Sequence, residues 1–136
     1  MNVEELAARL KPLVRERKLA LADVPDLVRL GVLHANADLD IRARLAEVEE
    51  LVQLALPGLP PEQWLWIRME RGDFSSGHGA IEPTLMVEFK DEKTLLDLLI
   101  GTLNPQMALF AGKLKATPIM RALVLAEFFE AITAHL

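Results

Sequence analysis

Few residues of this chain are equipped for chemistry. Its three histidines, His34, His78 and His135, stand far apart, and none has a second histidine at metal-ligand spacing. The stretch SSGHGAIE supplies Ser75, Ser76, His78 and Glu82, the side-chain types of an acyl-transfer site. A serine nucleophile of that class stands on a strand-to-helix turn with the spacing G-x-S-x-G. Here the glycines fall in a strand–turn pattern instead, so a glycine-rich turn is the better reading and a hydrolase the weaker rival. Glu47, Glu49 and Glu50 cluster on or beside a solvated helix face, a poor place for paired-carboxylate catalysis. Neither G-x-G-x-x-G nor G-x-x-x-x-G-K-[ST] is present, which leaves nucleotide cradling without support. With no cysteine, disulfides, thiolate catalysis and zinc–thiolate sites are excluded. The expectation is a protein that is not an enzyme and uses no metal and no cofactor.

The totals narrow the partners. A length of 136 residues predicts one domain, 1–136, with room for a real core. The formal charge of −5, from 15 basic and 20 acidic residues, denies nucleic acid the positive footprint it needs. General attraction to anionic membranes is not expected either, although a local basic patch is not excluded by a net charge. No apolar run approaches the ~20 residues that span a bilayer, so no stable membrane insertion is expected. The start, MNVEELAARL, is acidic and amphipathic, without the basic-then-apolar order of a signal peptide, which predicts a cytoplasmic protein. Hydrophobic residues make up 51% and aromatics 5%, so the interior is mostly aliphatic, equally suited to a deformable lipid site and to an ordinary core.

Behind these residues stand the elements. Residues 2–18 read as a helix capped by Asn2, with Pro12 as a kink or restart. Asp23-Val24-Pro25 begins a second helix. From Leu33 to Ile41 apolar and polar residues alternate, but Ala, Asn and Asp are poor strand formers, so loop or helix is preferred and a strand kept open. Residues 40–56 read as a helix through Ile41, Leu45, Val48, Leu51 or Val52, and Leu54 or Ala55, ended by PGLPP at 57–61. Residues 1–56 are thus expected to be mainly helical, and 62–136 to hold the sheet. WLWIRMER, FSSGHGAI and TLMVEF read as three strands in an antiparallel meander. Helical spacing returns from Asp91 to Ile100. The last helix, Pro118 to about His135, carries the stripe Met120, Val124, Phe128 and Ile132, with Ile119, Leu123, Leu125 and Phe129 spreading apolar surface round the rest. Such a helix must be covered on more than one side, by core, ligand or a second subunit.

Between those last two helices lies GTLNPQMALFAGKLKAT, residues 101–117. Gly101 suits a helix end, Asn104-Pro105 a new start, Gly112 a second end about two turns on, and KLKAT a short strand. Gly101, Leu103, Asn104, Pro105, Gln106, Ala108, Phe110, Gly112, Lys113, Leu114 and Lys115 match the signature of the sterol carrier protein lipid-binding domain, which this segment resembles. The likeness extends more loosely from about Gly72 to about Phe129. It implies an α+β fold, a small mainly antiparallel sheet covered by helices, with a helical N-terminal part. It also implies a non-catalytic binder or carrier of fatty acids, acyl-CoA or similar amphiphiles in an apolar tunnel. The residues expected to line that tunnel are Met86, Leu99, Leu103, Gln106, Met107, Phe110, Leu114, Met120, Leu123 and Val124, with Gln106 as the polar group at a head group or, equally, a helix-surface residue. Two departures stand out. Pro118 follows the strand where the family has a glycine soon after, and the helix expected over Ile41–Leu56 stands where sheet would be. The alternative is therefore an interaction module with a filled cavity, a homodimer joined through the last helix.

Overall fold

A computed structural model describes residues 2–134, without the side chains of residues 131 and 132. In chain order it contains α1 (Val3–Arg15), α2 (Val24–Ala37), α3 (Leu39–Arg44), β1 (Glu49–Ala55), β2 (Leu65–Glu70), β3 (Asp73–His78), β4 (Leu85–Phe89), α4 (Glu92–Leu99), α5 (Pro105–Phe110), β5 (Leu114–Thr117) and α6 (Ala122–Thr133). The expected continuation of the last helix to His135, and the place of Ile132 in its stripe, lie outside the described residues and side chains.

The N-terminal helices follow their end signals. The Asn2 carboxamide accepts from the Glu5 N–H at 2.9 Å, and Glu4 and Glu5 sit in the positive first turn. Pro12 lies inside α1, which runs on to Arg15 without a restart. The alternating stretch is helical: α2 continues to Ala37, and Asp38 then caps α3 through the N–H groups of Asp40 and Ile41. Arg9 clamps α1 to the next helix, bonding Asp23 at 2.9 Å and Asp26 at 2.6 Å. The Arg9 guanidinium, with the Ala20 N–H, holds the Asp23 carboxyl below the usual carboxylate range.

The predicted helix over 40–56 is the main correction. Only Leu39–Arg44 is helical, and Glu49–Ala55 is the middle strand of a five-stranded sheet ordered β3-β2-β1-β4-β5. Val48, Val52 and Ala55 suit a helical face, but Val52, Leu54 and Leu56 also alternate with Leu51, Gln53 and Ala55. Strand partners on both sides decide between the two periods, a tertiary gain that outweighs local propensity. The three later strands consequently form no meander. β2 and β3 make an antiparallel hairpin, whereas β4 pairs in parallel with β1 and antiparallel with β5. Residues 1–56 are mainly helical, as expected, but the sheet is not confined to 62–136, because its central strand β1 closes that first part.

Register puts Val52, Leu54, Leu65, Ile67, Leu85 and Val87 on one face, all buried. Leu6 and Leu10 of α1, Leu27 and Leu30 of α2, Leu95 and Leu98 of α4 and Phe128 of α6 join them in one core. Phe128 packs its ring 5.4 Å from that of Phe74 on β3. The opposite face is crossed by the connection from β3 to β4. Gln53, fully buried there, donates to the carbonyls of Leu65 (2.9 Å) and Gly79 (3.0 Å) and accepts from the Ile81 N–H (2.9 Å). Thr84 ends the crossing, its N–H donating to the Leu51 carbonyl at 2.9 Å.

Gln53→Leu keeps the volume but strands one N–H and two carbonyls under this connection. It should lower unfolding stability by about 2 kcal/mol, read as a lower urea midpoint at unchanged slope. An unchanged midpoint would mean that the crossing does not depend on Gln53.

Candidate functional site

The corner segment is built as its punctuation predicts. Asp91 caps α4 by accepting from the N–H and hydroxyl of Thr94 at 2.8 and 2.7 Å, and these bonds hold its carboxyl below the usual range. Gly101, with φ +82°, turns the chain out of α4, and Gly112, with φ +73°, turns it out of α5. Between them the Asn104 carboxamide caps α5, accepting from Gln106 at 2.9 Å and Met107 at 3.2 Å, with Pro105 as first helical residue. The strand after Gly112 pairs with β4. The reading of Thr117-Pro118 as the start of the last helix is corrected. That peptide is cis, a short 3-10 turn follows at Ile119–Arg121, and α6 begins at Ala122.

α5, β5, the Ile119–Arg121 turn and α6 thereby enclose a narrow crevice of about 50 Å³. Pro105, Gln106, Leu109, Leu114, Ile119, Ala122, Leu123, Leu125, Ala126 and Phe129 line it. Gln106 is the sole polar side chain of that lining. Binding sites for small molecules ordinarily measure ~300–1,000 Å³, so a ligand of that size would fit here only if α5 and α6 moved apart.

The expected site residues divide around this crevice. Gln106, Leu114 and Leu123 line it. Met107, Phe110 and Met120 stand exposed beside it, so they form its rim and not its wall. Leu99 is buried in the main core, and Val124 packs half-buried against that core. Leu103 lines a neighbouring recess of about 140 Å³ with Gly101, Phe129 and Thr133. Met86 is misplaced. Its register partners are Gln53 and Thr117, which puts it on the sheet face away from the helices. Leu85 and Val87 are the residues of that strand that face the helices, a parity the sequence could not assign without knowing which face is covered. Pro105, Leu109, Ala122, Leu125, Ala126 and Phe129 were not expected in the wall. Leu125 and Phe129, one turn apart, were legible only as surplus apolar surface on the last helix.

One buried carboxylate ties the lower end of α6 to the sheet. Glu50 of β1, its side chain 7% exposed, accepts from the Thr84 hydroxyl at 2.5 Å and from the Arg121 guanidinium at 2.8 Å. The polar residues of the rival hydrolase reading lie elsewhere, on the edge strand β3. There Ser75, Ser76 and His78 border an open groove of about 440 Å³ against α2. Among the described residues no hydrogen bond joins either serine to His78. Glu82 is exposed beyond the end of that strand and does not join the groove lining. No group of three or more His, Asp or Glu among the described residues is arranged to hold a metal, and no described helix is long and apolar enough to cross a membrane.

Residues 31–129 match the SCP-2 sterol transfer family. The chain belongs to that family. The match reaches back well beyond Gly72 to the last two turns of α2, so α3 and β1 are part of the family fold, which has sheet where the sequence suggested helix. No curated protein sequence matches the chain. The fold is similar to the crystal structure of sterol carrier protein 2, at 17% identity and a TM-score of 0.60, covering 79% of this chain and 93% of that one. It is also similar to sterol carrier protein domain 2 of Helicoverpa armigera, at 20% identity and a TM-score of 0.61, covering 79% and 86%. A third likeness is to part of the inverting sec-alkylsulfatase Pisa1 from Pseudomonas sp., at 18% identity and a TM-score of 0.60. It covers 85% of this chain and 16% of that enzyme.

In this family member, Arg121→Ala should leave the Glu50 carboxylate buried with a hydroxyl as its remaining partner. Because Arg121 itself is half exposed, a loss of about 2 kcal/mol is expected, less than for a fully buried pair. Glu50→Gln should cost clearly less, since it removes the charge that needs compensation. Equal losses in chemical unfolding would contradict this account of the pair.

Proposed function

We propose that this chain is a non-catalytic lipid carrier that takes the acyl chain of a fatty acid, acyl-CoA or similar amphiphile between α5 and α6. The observation carrying the reading is the lining of that crevice. Nine of its ten residues are apolar, and the tenth, Gln106, is an exposed amide at the edge, able to bond a head group. Membership of a sterol transfer family supports the same class of ligand. Each methylene moved from water into the crevice contributes ~0.8 kcal/mol, so a long chain gains enough to offset a substantial cost of parting two helices. That cost lowers the apparent affinity in proportion to the rarity of the open state. No side chain needs to react.

Native mass spectrometry of purified protein, with extraction of whatever it carries, tests this directly. A protein carrying an adduct of lipid mass is expected. Ala122→Trp, which fills the crevice from α6 at a half-buried position, should weaken binding of a fluorescent fatty acid at least tenfold while leaving the unfolding midpoint within ~1 kcal/mol. An unliganded dimer that still takes up no fatty acid or acyl-CoA would replace this reading by the interaction module.

A further inference from the structure

We propose that the open end of β3 binds an extended, uncharged peptide as an added strand of the sheet. This is independent of the carrier reading, because the groove beside β3 shares no lining residue with the α5–α6 crevice. β3 is an edge strand, paired with β2 alone. An edge leaves alternate N–H and carbonyl groups without strand partners, and proteins ordinarily cover them. Here one end is covered. The Arg42 guanidinium donates to the Gly72 carbonyl at 2.9 Å. Next along the strand, the Asn36 carboxamide donates to the Phe74 carbonyl at 2.8 Å and accepts from the Phe74 N–H at 2.9 Å. A single side chain thus copies both bonds of a neighbouring strand.

The other end is open. In an antiparallel ladder every second residue turns the same way, so Ser76 and His78 present their N–H and carbonyl groups on the side that Phe74 presents to Asn36. Among the described residues no hydrogen bond reaches these four groups. Between them and α2 lies the groove of about 440 Å³, a volume within the ~300–1,000 Å³ of ordinary binding sites. Its α2 wall of Val28, Val32 and Leu33 is apolar, and its charges balance, Asp26 against Arg29. At Pro25 and His78 it adjoins a recess of about 380 Å³ walled by Leu21, Leu56 and Leu59. These features name the occupant. Two donor–acceptor pairs about 7 Å apart, at ~3.4 Å per residue, match the backbone of another strand. An acyl chain in the same place would leave all four groups covered and unpaired. Balanced charge gives a charged segment no anchor. A second copy is disfavoured because α2 reaches the outer side of the edge at Phe74, so strand on strand would also set α2 against α2.

The test is a nitrogen-15 nuclear magnetic resonance titration of the full chain with the blocked peptides acetyl-TVTVT-amide, acetyl-SISIS-amide and acetyl-TLTLT-amide. Saturable amide shifts centred on Ser76 and His78 are expected, with slowed hydrogen exchange at both. A peptide N-methylated at alternate residues, so that its edge can no longer donate, should bind about tenfold more weakly or not at all. Ser76→Pro removes an outward N–H without taking a bond from the β2 ladder, and it should weaken binding while leaving the α5–α6 amides unshifted. No saturable shift with any of the three peptides, unchanged exchange at Ser76, or equal binding of the N-methylated peptide would overturn the proposal. So would shifts confined to α5 and α6. A concentration-dependent dimer abolished by Ser76→Pro would assign the edge to a second copy instead.

Discussion

The structure depends on where the apolar surface of its last helix goes. α6 offers Val124, Leu125, Ala126, Phe128 and Phe129 on more than one side, more than a single sheet face can cover. The sheet takes Phe128, which sits against Phe74 at the heart of the core. α5 takes Leu125, Ala126 and Phe129, but α5 is only six residues long and starts and stops at fixed corners. So short a helix covers α6 incompletely. What is left over is the crevice and the exposed Ile119, Met120 and Leu123 at its edge. The geometry of the candidate site is therefore the remainder of a packing problem set by the length of α5.

Two features make that remainder suited to a lipid. The crevice walls meet mostly through apolar side chains, so parting them would break few hydrogen bonds, and an acyl chain would cover the exposed surface again. The end of α6 nearest the sheet is held differently, by Arg121 on the buried Glu50 and by Glu50 on Thr84. Separation of α5 from α6 thus leaves an anchored base.

The segment Gly101–Thr117 was legible almost residue by residue, because caps, prolines and left-handed turns are local chemistry. Asn104, Pro105, Gly101 and Gly112 do what their types dictate whatever surrounds them. β1 was not legible. Residues 49–55 contain a single β-branched residue, and the period-2 pattern is masked because both faces are apolar, as befits a central strand. Its partners lie in β2 and in β4, more than ten residues away, and only pairing with both reveals it. The face of Met86 was not legible for a related reason: alternation assigns a residue to one of two faces without saying which face the helices cover. Met107, Phe110 and Met120 were recognised as belonging together, yet hydrophobicity alone could not separate a wall residue from a rim residue.

The account stands on the claim that an acyl chain enters between α5 and α6. The most direct measurement is a set of intermolecular nuclear Overhauser contacts between carbon-13-labelled palmitate and the methyl groups of the protein. Contacts to Leu109, Leu114, Leu123 and Leu125 are predicted, with none to α2. Contacts instead to Val28, Val32 and Leu33, which border the groove beside β3, would contradict the claim and move the ligand to the other side of the molecule.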